Sequence, residues 1–219
     1  MGHIAMYRAK DEACAIARDC GIGMASVINS THFGAAGAFT IAAADAGFIG
    51  FVAANTGALV VPHGGTESIH GTNPISFCAP NPGGDPFLLD MATSSIPWNR
   101  VLRYRKEALE LPEEVAVGGN GHFVTDPNFA VALAPLGGKD FGFKGAGLAG
   151  MAEILSAVLT GMRLQAYLDG FARQPGTYAA GGPEWQRRRQ REVEGIFLPD
   201  SLYAEHEAAA HQAGVSFSL

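Results

Sequence analysis

Short apolar runs alternate with helical patterns in the first sixty residues, and this alternation constrains the fold more than any other feature. Residues 4–19 carry small apolar side chains at a helical spacing. A short buried strand is predicted at 23–28, a helix at 39–46 and a second strand at 48–53. Helices that alternate with short strands predict an α/β arrangement in which part of the sheet is parallel.

The middle of the chain adds two strands and one helix to this pattern. Strands are predicted at 75–79 and 87–89, and the segment between them is rich in proline and glycine, which is typical of a turn. A helix is predicted from Pro97 to Leu109, since proline suits the first turn of a helix. Residues 110–140 are expected to form irregular surface.

The last third is predicted to be helical. Residues 144–159 form the most apolar helix, and the lack of a polar face predicts central burial. A charged helix is expected at 183–194, and a final helix begins at Pro199 to Ser201 and ends at Gly214.

Composition excludes several classes of function. The net charge of −6 gives no electrostatic footprint for nucleic acid, and no basic stripe is interleaved with aromatic residues. The three cysteines are an odd number without a C-x-x-C spacing, which argues against a disulfide framework and a zinc site and favours a reducing, cytoplasmic compartment. No run of about 18 apolar residues indicates a membrane span or secretion signal. Asp90, Glu153 and the histidines lack the helical or hairpin spacing of a metal site, so no metal is expected.

The segment from Asn29 to Gly37 places one imidazole, His32, among hydroxyls, an amide and glycines, before a predicted helix. Histidine changes its charge near neutral pH, so His32 could exchange a proton with a substrate. The alternative is that His32 caps the helix or completes a turn.

Two further segments have both a functional and a structural interpretation. Asp90 follows three apolar residues, so it either lies at a strand end where α/β proteins hold ligands or caps the next helix. Lys144 is expected at the mouth of a helix, where free backbone amides could meet an anion. The glycines of 145–150 match the dinucleotide-binding pattern G-x-G-x-x-G. A Rossmann unit is disfavoured because no strand leads into them and no acidic residue follows at the required distance. The glycines could instead permit close helix packing.

The chain contains four ordered segments: Asn29 to Gly37, Gly71-Thr72-Asn73-Pro74-Ile75, Leu89 to Ser94 and Phe143 to Leu148. Their sequences and their order resemble the malate/L-lactate dehydrogenase family of NAD(P)H oxidoreductases, which is distinct from the Rossmann-type lactate dehydrogenases. The resemblance covers most of 1–164 and resumes at about 181–215. It implies a non-Rossmann α/β fold with a mixed sheet and flanking helices, an NAD or NADP cofactor, and a homodimer.

Carried over by position, the resemblance assigns roles to individual residues. His32 matches a catalytic proton acceptor, and Thr56 matches a hydroxyl that contacts the cofactor. The cofactor-binding Asp-Met-Ala segment corresponds to Asp90, Met91 and Ala92, and Lys144 matches a lysine that binds the dinucleotide. A late cofactor segment corresponds to Gly182, Pro183 and Glu184.

The chain also departs from the family pattern. Family members carry an amino-terminal Ser-His-Gly motif followed by an arginine, and no Ser-His-Gly occurs here. A second shortened interval follows Leu164. The chain is therefore expected to begin inside the family pattern, with an incomplete fold made of a cofactor-binding core at 1–164 and a helical segment at 165–219 that packs back on it.

The resulting expectation is an oxidoreductase that transfers a hydride between NAD(P)H and a small 2-oxo or 2-hydroxy acid, with no nucleic-acid or membrane partner. Two alternatives stay open. One is an inactive fragment of the family that binds cofactor or dimerises, and the other is a cyclic imino-acid reductase.

Overall fold

The computed structural model describes residues 2–197 and 199–216. These residues form seven α-helices, five short strands and one 3₁₀ turn at Val158–Thr160. The helices are α1 (Gly2–Cys20), α2 (Gly37–Asp45), α3 (Trp98–Glu107), α4 (Gly138–Ser156), α5 (Leu164–Ala172), α6 (Gly182–Glu194) and α7 (Asp200–Ala213). The strands are β1 (Gly50–Ala53), β2 (Ile75–Ala79), β3 (Phe87–Met91), β4 (Ala116–Gly118) and β5 (Ala130–Leu133).

The strands form two antiparallel sheets, β1-β2-β3 and β4-β5, so the combination of helices and sheets confirms the α/β class. The expectation of a partly parallel, mixed sheet is wrong for these ladders. Parallel neighbours require a long crossover that is usually helical, whereas no helix separates β1 from β2 or β2 from β3. Parallel pairing among the described residues is limited to an isolated bridge between Val60 and Leu133.

Two other secondary-structure predictions are wrong. Residues 23–28 have irregular backbone rather than a strand, and the side chains of Met24 and Ile28 are 57% and 59% exposed, because no neighbouring strand pairs with them. Residues 110–140, which were expected to be irregular surface, contain β4 and β5, and Leu133 in β5 is fully buried.

Helix α2 packs closely on one face of the first sheet. The hydroxyl oxygens of Thr40 and Ser76 are 2.8 Å apart, and the Ser76 hydroxyl also donates to the carbonyl of Leu89 in β3. Both hydroxyl side chains are fully buried. Because buried hydroxyls are costly unless they are hydrogen-bonded, this pairing fixes where α2 sits on the sheet.

Helix α4 begins at Gly138, six residues before the predicted start, so Lys144 lies inside the helix rather than at its mouth. The expected close packing of its glycines is present. A β-carbon at Gly145 would overlap the backbone of Leu136, and the Gly145 N–H donates to the Leu136 carbonyl at 3.1 Å. The glycine therefore allows the preceding loop to lie directly against the helix.

Residues 138–160 are, among the described residues, the stretch long and apolar enough to cross a membrane, and 39% of its most apolar 18-residue window is buried within the protein. Core helices of globular proteins satisfy the same criteria of length and composition. These properties therefore do not by themselves assign a membrane span.

The chain divides into two compact units, at 1–180 and 181–219. Helix α5 belongs to the first unit, where the Phe171 ring lies against the His70 ring and the Gln174 side chain accepts hydrogen bonds from the backbone of Thr66 and Glu67. The second unit contains α6 and α7. The functional division at residue 164 stays a prediction.

The buried core around strands β4 and β5 predicts a large loss of stability on truncation of Leu133. Leu133 is fully buried against Val60, Val101 and Ala116, so Leu133→Ala should lower the free energy of unfolding by about 2–5 kcal/mol. Val131→Ala is the matched control, because Val131 lies on the same strand but is 58% exposed, and it should change stability by less than about 1 kcal/mol. Urea denaturation measures both, and equal losses would contradict this packing.

Candidate functional site

His32 lies on an anchored loop and is exposed. The Thr31 hydroxyl accepts a hydrogen bond from the Gly2 N–H at 3.0 Å, and the Phe33 ring packs 5.7 Å from the buried Phe39 ring. The imidazole of His32 stacks beside the Phe33 ring at 6.4 Å between centroids. The imidazole is therefore accessible to solvent, while the loop that carries it is held in place by the contacts of Thr31 and Phe33.

Asp90, rather than His32, caps helix α2. The Gly37 N–H at the start of that helix donates to Asp90 Oδ2 at 2.9 Å. Asp90 lies within β3 rather than after a strand. It caps a helix, but the capped helix is α2 and not the next helix along the chain, α3. A carboxylate at a helix amino terminus is stabilised by free N–H groups and the helix dipole. This contact brings the Asp90 segment against the end of the His32 loop.

Asn73 connects three segments through its fully buried side chain and its backbone carbonyl. Its Oδ1 accepts from the Thr56 N–H at 3.1 Å, and its Nδ2 donates to the carbonyl of Ala149 at 3.0 Å and to Glu153 Oε2 at 2.9 Å. The Asn73 carbonyl also accepts from the Thr93 hydroxyl at 3.2 Å. Asn73 therefore joins the loop after β1, the loop after β3 and helix α4.

Asn73 and its hydrogen-bond partners Thr56, Thr93, Ala149 and Glu153 form a hub. Thr56 is held in this hub by further contacts. Its hydroxyl accepts from the Thr72 N–H at 3.0 Å, and a β-carbon at Gly71 would overlap the same hydroxyl oxygen. Only glycine leaves room for this approach. The Thr56 side chain remains exposed, so its oxygen is fixed in position and accessible to a ligand.

Met91 and Ala92 reach the hub through their neighbour Thr93. The Thr93 N–H donates to the Thr72 carbonyl at 2.9 Å, and the Thr93 carbonyl accepts from the Leu136 N–H at 2.9 Å. Leu136 then accepts from the N–H of Gly145, the residue after Lys144. A continuous run of backbone hydrogen bonds thus connects the Asp-Met-Ala segment with the part of α4 that bears the lysine.

Lys144 extends from α4 as an exposed cation. Its ammonium nitrogen lies 5.1 Å from the centroid of the Phe141 ring and 5.9 Å from that of Phe143, and both rings are more than half exposed. It forms no salt bridge within residues 2–197 and 199–216. The helix-mouth prediction is wrong, but an accessible positive charge beside aromatic rings remains.

Gly182, Pro183 and Glu184 begin α6 in the second unit. Gly181 adopts a φ of 82° just before the helix, Pro183 occupies its first turn, and Glu184 is exposed. These residues are not part of the arrangement around Asn73 described for the first unit, and their assignment to a cofactor stays a prediction.

Glu153, Tyr167 and His70 form a polar core, and the sequence predicted no role for any of them. Glu153 is 8% exposed, and burial raises the pKa of its carboxyl, an effect partly offset by hydrogen bonds from Asn73 and Asn55. Burial, with the nearby Glu153 charge, also raises the pKa of Tyr167, whose hydroxyl is 3.2 Å from His70 Nδ1. The available signal for Glu153 was that it is the single acidic residue within the apolar helix predicted at 144–159.

His70 is the buried base of this polar core. The residue is fully buried, and burial lowers the pKa of its imidazole from 6.5 to about 4. Its Nε2 is, among the described residues, the buried side-chain nitrogen or oxygen without a hydrogen-bond partner. His70 is therefore neutral at pH 7 and is a poor acceptor of a catalytic proton at that pH. No group of three His, Cys, Asp or Glu residues in the described chain converges as a metal site.

A sequence profile described as malate/L-lactate dehydrogenase matches residues 1–180, and the chain belongs to this family. The chain is 43% identical to malate dehydrogenase from Pyrococcus abyssi over 166 residues, which are 73% of this chain and 46% of that protein. It is 37% identical over 161 residues to ureidoglycolate dehydrogenase (NAD(+)) from Escherichia coli, covering 74% of this chain and 45% of that protein. The chain thus spans about half the length of these curated relatives.

The fold is likewise similar to solved structures. The crystal structure of delta1-piperideine-2-carboxylate reductase from Pseudomonas syringae pvar. tomato matches with a TM-score of 0.67 and 27% identity, covering 98% of this chain and 70% of that one. The malate/L-lactate dehydrogenase-like fold predicted from the sequence is confirmed.

The lowered pKa of His70 predicts a loss of stability in acid. Above about pH 6.5 the imidazole is neutral in both states; as the pH falls from 6.5 to 4, the unfolded chain takes up a proton that the folded chain does not, so the free energy of unfolding falls by at most about 3 kcal/mol. His70→Phe should make this acid-induced loss smaller, as measured by urea denaturation at several pH values.

His122→Phe is the control, because His122 is exposed. It should leave the slope between pH 6.5 and 4 unchanged. Identical slopes for wild type and His70→Phe would show that this imidazole titrates normally in the folded protein.

Proposed function

We propose that this chain binds NAD or NADP and serves an oxidoreductase that interconverts a small 2-oxo acid and a 2-hydroxy acid. The observation that carries the proposal is the convergence on Asn73 of Thr56, the segment after Asp90-Met91-Ala92 and the helix of Lys144. These are the positions that the family resemblance assigns to the cofactor, although Asp90 follows Thr56 by 34 residues and Lys144 follows it by 88.

The residues fit a dinucleotide by their chemistry. A dinucleotide combines phosphate anions with aromatic rings, and Lys144 offers an exposed ammonium beside the exposed rings of Phe141 and Phe143. Thr56 adds an exposed hydroxyl whose oxygen is held by the Thr72 N–H. Lys144, Thr56 and the backbone of Met91 and Ala92 would hold the cofactor, and the nicotinamide would supply or accept the hydride at the substrate's second carbon.

His32 would accept or donate the proton of the substrate hydroxyl. Reduction of a 2-oxo acid leaves an oxygen that requires a proton, and oxidation of the alcohol releases one. The imidazole of His32 is exposed on an anchored loop, and the end of this loop at Gly37 contacts Asp90. His70 does not suit this role because it is fully buried and burial lowers the pKa of its imidazole to about 4.

The proposal extends to compartment and assembly. Three free cysteines and a net charge of −6 support a cytoplasmic protein with no nucleic-acid or membrane partner. A homodimer is supported by apolar side chains left exposed on β1 and β3, where Phe51, Phe87 and Leu89 are 49%, 62% and 38% exposed.

Cofactor binding by the purified chain tests the proposal. NADH or NADPH fluorescence should be enhanced on titration, and Lys144→Ala should weaken binding about tenfold through loss of a contact between the ammonium and a phosphate. Lys139→Ala is the matched control, since Lys139 is exposed on the same helix, and it should bind as wild type does. Absence of binding by the wild-type chain to either nucleotide would overturn the proposal.

Turnover separates the alternatives. With pyruvate as the substrate, NADH oxidation that His32→Ala abolishes supports the 2-oxo acid reaction, whereas cofactor binding without turnover supports the inactive fragment. Turnover of a cyclic imino acid but not pyruvate supports the imino-acid reductase, which the likeness to the piperideine-2-carboxylate reductase makes a specific second candidate.

A further inference from the structure

Glu153 is a buried carboxylate that no step of the proposed chemistry uses. It lies on α4 among small apolar residues, and it is the acidic side chain that the structure buries within residues 2–197 and 199–216. None of the salt bridges in this part of the chain includes it. A buried carboxylate without a cation is costly, so its hydrogen bonds must provide the compensation.

Both carboxylate oxygens face amide donors from loops that flank the hub. Oε2 accepts from Asn73 Nδ2 at 2.9 Å, and Oε1 accepts from Asn55 Nδ2 at 3.4 Å. Asn55 is the neighbour of Thr56, and Asn73 holds the Thr56 N–H. The Glu153 carboxylate therefore contacts the Thr56 loop at two adjacent residues: it bonds to Asn55 directly, and it is linked to the Thr56 N–H through Asn73.

The same helix carries the exposed lysine on its other side. Lys144 precedes Glu153 by nine residues, which is about two and a half helical turns and places the two side chains on opposite faces of α4. Their exposure agrees, since Lys144 is exposed and Glu153 is buried. Anchoring the Thr56 loop to the buried face thus fixes its position relative to the cation on the outer face.

We propose that Glu153 is a positioning residue for the cofactor site, which its carboxylate serves by anchoring the Thr56 loop to the helix of Lys144 through Asn73 and Asn55. The inference rests on the proposed function. Glu153 touches neither substrate nor cofactor in this account, and it acts through the oxygen and backbone of Thr56.

Glu153→Gln tests this role with little change in size. The glutamine amide nitrogen would replace one acceptor and face an asparagine N–H donor, so one of the two anchors is lost. NADH binding, followed by fluorescence, should weaken about tenfold. Hydrogen exchange at the backbone amides of residues 54–57 and 71–73, measured without cofactor, should accelerate at least about fivefold.

Two controls separate positioning from general stability. Glu110→Gln alters an exposed glutamate and should behave as wild type in both measurements. Val101→Ala removes packing in the core that contains Ile96 and Leu133, so it should lower the melting temperature while leaving NADH affinity and the local exchange of 54–57 close to wild type. A loss of NADH affinity in Val101→Ala equal to that in Glu153→Gln would assign Glu153 a purely structural role and overturn the proposal.

The two readouts also distinguish failure of this inference from failure of the proposed function. Unchanged exchange at 54–57 in Glu153→Gln overturns the anchoring role whether or not the chain binds NADH. Accelerated exchange together with no NADH binding by wild type overturns the proposed function, and with it the role toward a cofactor, while the anchor itself stands.

Discussion

Asn73 uses both amide hydrogens and its side-chain oxygen in hydrogen bonds to other segments of the chain. Two bonds reach α4 and one reaches the Thr56 loop, and the backbone of Asn73 accepts the Thr93 hydroxyl. Each partner left unpaired in a buried environment costs about 1–3 kcal/mol, so no other side chain replaces this one without loss. The arrangement of the candidate site depends on this single amide.

The electrostatics of the polar core follow from burial. Glu153, Tyr167 and His70 lie together, and no Lys or Arg is buried in the part of the chain that the structure describes. Burial shifts the pKa of each group in the direction that favours its neutral form. The exposed His32 is therefore the residue that we propose for proton exchange with a substrate, whereas the buried Glu153 accepts hydrogen bonds from Asn73 and Asn55. The same separation leaves Lys144 on the outer face of α4, where a positive charge is accessible.

Local patterns in the sequence predicted much of the fold. The strand at Ile75–Ala79 was predicted with its observed bounds because an asparagine-proline turn precedes it and a proline-glycine turn follows it. The segment 23–28 has an equally apolar pattern but no strand to pair with, a property that depends on distant residues. Strands β4 and β5 were missed for the converse reason, since their burial comes from residues such as Val60 and Val101 elsewhere in the chain.

The site was only partly predictable for a related reason. Family motifs indicated His32, Thr56, Asp90 and Lys144 as candidates, and the structure explains how three of these segments are brought together. The pair of Asn73 and Glu153 is separated by 80 residues, so no spacing rule could reveal it. The predicted helix start at Lys144 failed because Gly137 and Gly138 adopt positive φ values and form the actual beginning of α4.

The side-chain amide of Asn73 can be observed directly by ¹⁵N NMR, with its signals assigned by their loss in Asn73→Asp. Since both N–H groups are buried and bonded to Ala149 and Glu153, the account predicts that they exchange with water at least about a hundredfold more slowly than those of the exposed Asn128. Exchange at the rate of Asn128 would show that the Asn73 amide is accessible to water in solution and would contradict its hydrogen bonds to Ala149 and Glu153.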